Sequence, residues 1–214
     1  MEESRLKIWE VLFERALKIM DSAYPGVFRP DTWSFGGGTV LMLKYRHRLS
    51  KDIDIFVPDP QYLGYLSPDR NDAAAELAPK FLQQANFLKL YFAEGEIDFV
   101  ASQSLTKRPT ATQSLLGREV SVETPIEILA KKIRYRGAEF TARDIFDFAV
   151  VAEYEADALR EIAPLMRERR EAILARIKDR DRPLRTTFRE LEFLGEPRSY
   201  DACVGKLKES LAAA

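Results

Sequence analysis

Two aspartates separated by one isoleucine, Asp52-Ile53-Asp54, lie in the stretch FGGGTVLMLKYRHRLSKDIDIFV, behind a run of glycines and a short apolar segment. Side chains alternate along an extended chain, so Asp52, Asp54 and Phe56 share one face while Ile53, Ile55 and Val57 take the other. The isoleucine face reads as core, which leaves two carboxylates together on the opposite face. A later segment, Glu96-Ile97-Asp98-Phe99, repeats the pattern with Ile97 and Phe99 inward and Asp98 outward. If the two strands are neighbours, three carboxylates converge. Two such charges ~4 Å apart repel by about 4 kcal/mol at an effective dielectric near 20. That cost calls for a cation, and oxygen ligands suit a hard divalent ion, Mg²⁺ or Mn²⁺.

The glycines supply a complementary half. Gly37 and Gly38 stand directly before Thr39 to Tyr45, a run of good helix formers. A glycine turn that opens a helix presents backbone N–H groups at the positive end of the helix dipole, a setting for phosphate, and has no Cβ to obstruct a ligand. Phosphate on one side and metal on the other is the layout of phosphoryl or nucleotidyl transfer. No Gly-Lys-Ser/Thr follows, so this is neither a P-loop nor a dinucleotide fingerprint. Singly, Asp-x-Asp is ordinarily a solvated strand face and Gly-Gly an ordinary turn. The order of the set carries the reading.

The elements that must position these residues are legible in outline. Leu6, Trp9, Leu12, Phe13, Leu17 and Met20 recur at helical spacing, predicting an amphipathic helix over 5–20 that ends before Tyr24-Pro25-Gly26. A strand at Trp33 to Phe35 runs into the glycines, a helix follows, and a strand over 52–57 closes at Pro58-Asp59-Pro60. A short helix is expected at Ala73 to Leu77. Phe87 to Phe92 and Glu96 to Ala101 read as a hairpin turning at Glu94-Gly95, and one more strand is expected at Arg118 to Val122. Helices then dominate. Thr124-Pro125-Ile126-Glu127 combines an N-cap, a first-position proline and a capping-box glutamate, predicting a helix to Arg136 that stops at Gly137. Thr141 with Asp144 opens another, and breaks are expected at Pro164, Pro183 and Gly195-Glu196-Pro197. The division is an N-terminal mixed lobe over 1–122 and a helical lobe over 123–214.

Bulk properties narrow the class. The chain has 214 residues, 46% of them hydrophobic, enough for two joined lobes, and its formal net charge of -1 announces no global basic field. The single cysteine, Cys203, excludes an intrachain disulfide framework and a cysteine-based zinc site. No apolar run approaches the roughly 18 residues of a membrane span. The expectation is a cytoplasmic protein with no membrane partner.

The ordered set resembles the nucleotidyltransferase superfamily that includes DNA polymerase β. More narrowly, GGTVLMLKYRHRLSKDIDIF is similar to the AbiEii/AbiGii toxin branch, with its Gly-Gly-Thr helix, His-Arg pair and serine ahead of the aspartates. That branch carries a helical lysine, matched by EILAKKIRYR, and an Arg-Asp-x-x-x-Asp-type or closely related segment, matched by ARDIFDF with Arg143, Asp144 and Asp147. The resemblance implies an α+β, polymerase β-like nucleotidyltransferase fold, a mixed sheet flanked by helices with a helical C-terminal lobe.

It also implies metal-dependent transfer of a nucleoside monophosphate to an acceptor, the acceptor end of tRNA or another RNA, by a toxin paired with an antitoxin. Asp52 and Asp54 would hold the metals; Asp98 would ligate the second or activate the acceptor hydroxyl. Gly37, Gly38, Thr39, Arg48 and Ser50 would meet the nucleotide, with a bracing role open for Arg48 and Ser50. Of Lys131 and Lys132, Lys132 borders the Ile126, Leu129, Ala130 and Ile133 stripe and is chosen to neutralise triphosphate charge. Asp144 would act with the nucleotide or Lys132, or favour the helix N-terminus. His47 is taken as structural. A protein or small-molecule hydroxyl acceptor, or nucleotide binding without catalysis, are the rival readings.

Overall fold

The computed structural model describes residues 5–78 and 80–214, which group into two compact units. The first takes the chain up to Val40, then Ser50–Ser104 and Thr110–Glu123; the second takes Leu41–Leu49, Leu105–Pro109 and Thr124–Ala214. Sequence distance alone does not express this division, because two short segments from the N-terminal half group with the helices.

In the first unit, helix α1 (Ile8–Asp21) buries Trp9, Leu12, Phe13, Ala16, Leu17 and Met20, the stripe that helical spacing predicts. Its aromatics meet β1 (Ser34–Gly36): the rings of Phe13 and Phe35 lie 4.7 Å apart, and Trp9 stacks on Phe35 at 6.2 Å. Such ring pairs add about 0.5–1.5 kcal/mol each to the burial of the rings. The sheet continues through β2 (Ile53–Val57), β3 (Phe81–Gln83), β4 (Phe87–Tyr91), β5 (Glu96–Ala101), β6 (Thr110–Leu115) and β7 (Arg118–Glu123), in spatial order β3-β4-β5-β2-β1-β7-β6. The β2–β5 and β1–β7 pairs are parallel and the rest antiparallel, so the sheet is mixed. Ile53, Ile55 and Val57 are buried and alternate with half-buried Asp54 and Phe56, as the pattern requires.

Two strands went unread in the sequence. Both β3 and β6 lie at sheet edges, where one flank stays unpaired, and the mostly polar TATQSL of β6 carries no hydrophobic alternation to announce it. The turn that returns β6 to β7, Leu116-Gly117, has positive φ at both residues, the geometry that matches the twist of a tight hairpin.

Helix α2 (Gly37–Tyr45) starts at Gly37 itself, so the glycines are its first turn and not a loop before it. A short α3 (Asp72–Leu77) follows β2, capped by Asn71. The second unit holds α4 (Pro125–Arg136), α5 (Ala142–Tyr154), α6 (Leu159–Asp179), α7 (Asp181–Arg189) and α8 (Tyr200–Ala213). Thr124 caps α4 by accepting the Glu127 N–H, but the reciprocal half of the expected capping box is missing. Glu127 instead accepts the N–H groups of Leu105 and Thr106 and the Thr106 hydroxyl, which pins segment 105–109 into this unit. Thr141 and Asp144 do form the full capping box of α5. Pro164 lies inside α6 and breaks nothing, while the chain breaks at Arg180, ahead of Pro183 in the first turn of α7.

Phe13 touches Trp9, Trp33 and Phe35 and is fully buried. Phe13→Ala should lower the free energy of unfolding by roughly 3–5 kcal/mol, read as a fall in the urea midpoint at unchanged slope.

Candidate active site

Register on the first unit's sheet decides which side chains meet. The antiparallel and parallel pairings place Lys89, Asp98, Asp54 and Gly36 in one row across β4, β5, β2 and β1. Neighbouring strands lie about 4.8 Å apart, so Asp54 and Asp98 stand side by side on one face. The row has charge at one end: Lys89 Nζ donates to Asp98 Oδ2 at 2.8 Å and also engages Glu96. Burial raises the carboxyl of Asp98, the Lys89 ammonium opposes that, and the neighbouring Asp54 raises it further, leaving it at about 6. Asp98 Oδ1 is buried and has no hydrogen-bond partner.

At the other end of the row Gly36 has no side chain, and that space is filled. A Cβ there would lie 2.3 Å from Glu123 Oε2 and 2.8 Å from the Phe56 ring. Glu123, at the end of β7, is buried and accepts the Ser34 hydroxyl at 3.0 Å. The next glycine, Gly37, has φ +73, and a Cβ on it would fall 1.9 Å from Asp54 Oδ2. Two independent constraints therefore require glycine here. The Asp54 carboxylate packs against the first residue of α2, where the helix dipole favours negative charge.

The remaining expected residues of this unit are placed differently from their sequence reading. Asp52 precedes β2, and its Oδ1 accepts the Glu96 N–H at 3.1 Å. Thr39 is fully buried, donating to the Asp52 carbonyl at 2.6 Å and lying 3.1 Å from Ser50 Oγ. It tethers α2 to the chain entering β2. Gly38 lies in the first turn of α2.

The helical unit concentrates the others in a buried charge cluster. Arg48, its side chain 3% exposed, grips Asp147 bidentately at 2.7 and 2.8 Å, and His47 Nε2 lies 2.8 Å from the same carboxylate. Arg48 is thus a brace, one of its two expected roles. Lys132 Nζ, with its side chain 10% exposed, lies 2.6 Å from Asp144 and 3.0 Å from Asp147. Asp144 is fully buried, accepting from Lys132, Arg136 and both the backbone N–H and hydroxyl of Thr141. Both of its oxygens are occupied, holding Lys132 and capping α5, two of the roles expected for it. Burial alone would raise both carboxyls. The charges of Lys132 and Arg136 hold Asp144 below its ordinary value, and those of Arg48 and Lys132, with hydrogen bonds from His47 and Arg48, hold Asp147 well below it. Lys131, expected opposite the core, is buried beside Glu127 at 3.6 Å.

Sequence reasoning missed Lys89, Glu123 and Asp147's role as hub. Lys89 alternates with buried Leu88 and Leu90, so its outward face was available from the pattern. Its pairing with Asp98 depends on the hairpin register.

A divalent cation makes specific demands on this donor set. Among the described residues, no three acidic, histidine or cysteine side chains form a ready-made cage. Of the expected trio, Asp54 and Asp98 stand side by side on the sheet, and Asp52 precedes the strand that carries Asp54. The pair Asp54–Asp98 fits such an ion, because it offers adjacent carboxylates and a buried oxygen without a donor. Mg²⁺ commonly takes one or two protein carboxylates and completes its shell with phosphate oxygens and water.

Known proteins share this architecture. The family model for the nucleotidyl transferase AbiEii toxin, type IV toxin–antitoxin system, matches residues 18–211. A crystal structure described as a nucleotidyltransferase from H. pylori superposes with a TM-score of 0.55 at 14% identity, covering 100% of this chain and 95% of that one. MenT4, a nucleotidyltransferase toxin from Mycobacterium tuberculosis H37Rv, superposes with a TM-score of 0.55 at 16% identity, covering 97% of this chain and 83% of its own. These likenesses establish the mixed-sheet nucleotidyltransferase fold. No curated protein sequence matches. No described helix is long and apolar enough to cross a membrane.

Gly26 also has positive φ, +84, with open space where a Cβ would go. Gly26→Ala should therefore cost only the roughly 1–2 kcal/mol of left-handed strain, and Gly37→Ala clearly more, since it also drives against Asp54. Equal losses in urea unfolding would show that the Asp54 contact contributes nothing. For the buried cluster, the depressed carboxyls of Asp144 and Asp147 contribute stability that is complete above the unfolded value near 3.9. That contribution is lost as pH falls through their lower folded values. Asp147→Asn, which leaves Arg48 and Lys132 short of a buried partner, should cost about 3–5 kcal/mol at neutral pH and lessen the loss on acidification. Unfolding curves across the acid range check both.

Proposed function

Because this chain belongs to the AbiEii nucleotidyltransferase toxin family of type IV toxin–antitoxin systems, we propose that it transfers a nucleoside monophosphate from a nucleoside triphosphate to RNA, in particular the acceptor end of tRNA, and is restrained by a cognate antitoxin. The observation that carries the reaction is the side-by-side placement of Asp54 and Asp98 at the opening of α2. The family and the likeness to a nucleotidyltransferase toxin support nucleotidyl transfer by a toxin; the RNA acceptor is our reading of the motif resemblance.

In this reading Asp54 and Asp98 hold Mg²⁺, which when bound offsets triphosphate charge. Gly37 and Gly38 let the nucleotide phosphates approach the main chain at the positive end of α2. The acceptor hydroxyl oxygen forms a bond to the α-phosphorus, the bond from that phosphorus to the bridging oxygen breaks, and pyrophosphate leaves. The hydroxyl proton passes to solvent water, and Asp98 Oδ1, the buried oxygen that has no donor among the described residues, is kept for the cation. Lys132, the lysine that the family resemblance assigns to triphosphate charge, is held in the helical unit by Asp144 and Asp147.

Incubation with each of the four α-³²P nucleoside triphosphates, Mg²⁺ and total RNA should label a tRNA-sized band. Asp54→Asn should reduce labelling to background while leaving the fold intact, read as an unchanged far-ultraviolet circular dichroism spectrum, because the Asp54 side chain is not part of the apolar core. Label of equal intensity with Asp54→Asn would overturn the site. Label in protein alone would overturn the acceptor.

A further inference from the structure

We propose that an arginine-lined cavity in the helical unit binds consecutive phosphates of a nucleic-acid strand and so grips the acceptor; this rests on the RNA-acceptor reading above. The cavity has a volume of about 470 Å³ and is walled by the end of α4, the start of α5, the end of α6, and α7. Its size falls within the range of roughly 300–1,000 Å³ that sites for small ligands occupy.

Its charge is one-sided. Arg136, Arg143, Arg176 and Arg180 line it, with Glu190 the one acid on the wall. That excess stands against a chain whose formal net charge is -1. Every cation is an arginine, whose planar fork matches phosphate oxygens in pairs where a lysine offers a point charge. The protein itself orients Arg136 and Arg176: Arg136 lies 3.3 Å from Asp144, and Arg176 Nε donates to the Phe140 carbonyl at 3.2 Å while its fork lies 3.5 Å from the exposed Glu139. Arg180 has no ion pair among the described residues. Leu184 and Leu191 supply an apolar wall against which a sugar or base can lie.

The cavity also touches the buried cluster. Arg136 and Lys132 share Asp144 Oδ1, at 3.3 and 2.6 Å. A strand held by the arginines therefore runs within one ion pair of the lysine assigned to the nucleotide.

A strand and a free nucleotide share phosphate chemistry, and the test separates them. Binding of a short fluorescein-labelled single-stranded RNA to the full chain is followed by anisotropy across a salt series, without nucleotide or metal. Binding of a labelled nucleoside triphosphate is followed in parallel. Arg143→Glu/Arg180→Glu should weaken RNA at least ~10-fold and flatten the plot of log affinity against log salt by about 1.4, or ~0.7 for each phosphate no longer neutralised. Triphosphate binding should not change. A pair with the same charge change elsewhere in α6, Arg160→Glu/Arg170→Glu, should have a much smaller effect. RNA binding that survives in the cavity pair, or falls equally in both pairs, overturns the site. Loss of triphosphate with RNA retained reassigns the cavity to free nucleotide and overturns it as well. The labelling experiment fails independently: transfer to RNA with an intact RNA affinity in the cavity pair sinks only the cavity, and RNA binding through the cavity without any transfer sinks only the acceptor reading.

Discussion

Parallel pairing of β2 with β5 sets Asp54 against Asp98, and the surroundings of the candidate site answer that one electrostatic constraint. Like charges on adjacent strands are costly. Part of the cost is offset by Lys89 on the next strand and part by the opening of α2, against which Asp54 packs. What is left uncompensated is Asp98 Oδ1, buried without a hydrogen-bond donor. A buried carboxylate oxygen with no donor among the described residues is costly in a native fold, and the proposed nucleotidyl transfer draws on that observation.

Glycine has two different duties in this arrangement. At Gly37 the backbone is left-handed and the missing Cβ is the space in which Asp54 sits. At Gly36 the backbone needs no such freedom; the missing side chain admits the carboxylate of Glu123. The run of glycines thus makes room for acids of the protein itself as well as for a ligand.

The helical unit solves its electrostatic problem by a different route. Asp147 lies among Arg48, His47 and Lys132, with almost no solvent to screen them. A balanced cluster of this kind adds little net stability over apolar packing, yet removing one member is expensive. Its use is directional: Arg48 ties the segment after α2 to α5, and Asp144 and Asp147 aim Lys132 from consecutive turns of one helix. The same Asp144 completes the capping box that starts that helix, so helix formation and lysine placement depend on one carboxylate.

The sequence by itself determined the α1 stripe, the alternation of β2, the β4–β5 hairpin and the caps of α4 and α5, because each follows from residue spacing or from local hydrogen bonding within a few positions. It also put Asp54 and Asp98 on outward faces, and with them the family and the reaction class. Edge strands were illegible, since a half-exposed polar strand such as β6 has no hydrophobic period. Partnership between distant charges was illegible for a different reason. Arg48 and Asp147 stand 99 residues apart, Ser34 and Glu123 stand 89 apart, and nothing in either residue's neighbours specifies the other. Only the tertiary structure decided that Arg48, Thr39 and Asp144 are engaged by other groups of the protein. Burial and the filling of hydrogen-bonding capacity belong to packing, which pattern along a chain does not encode.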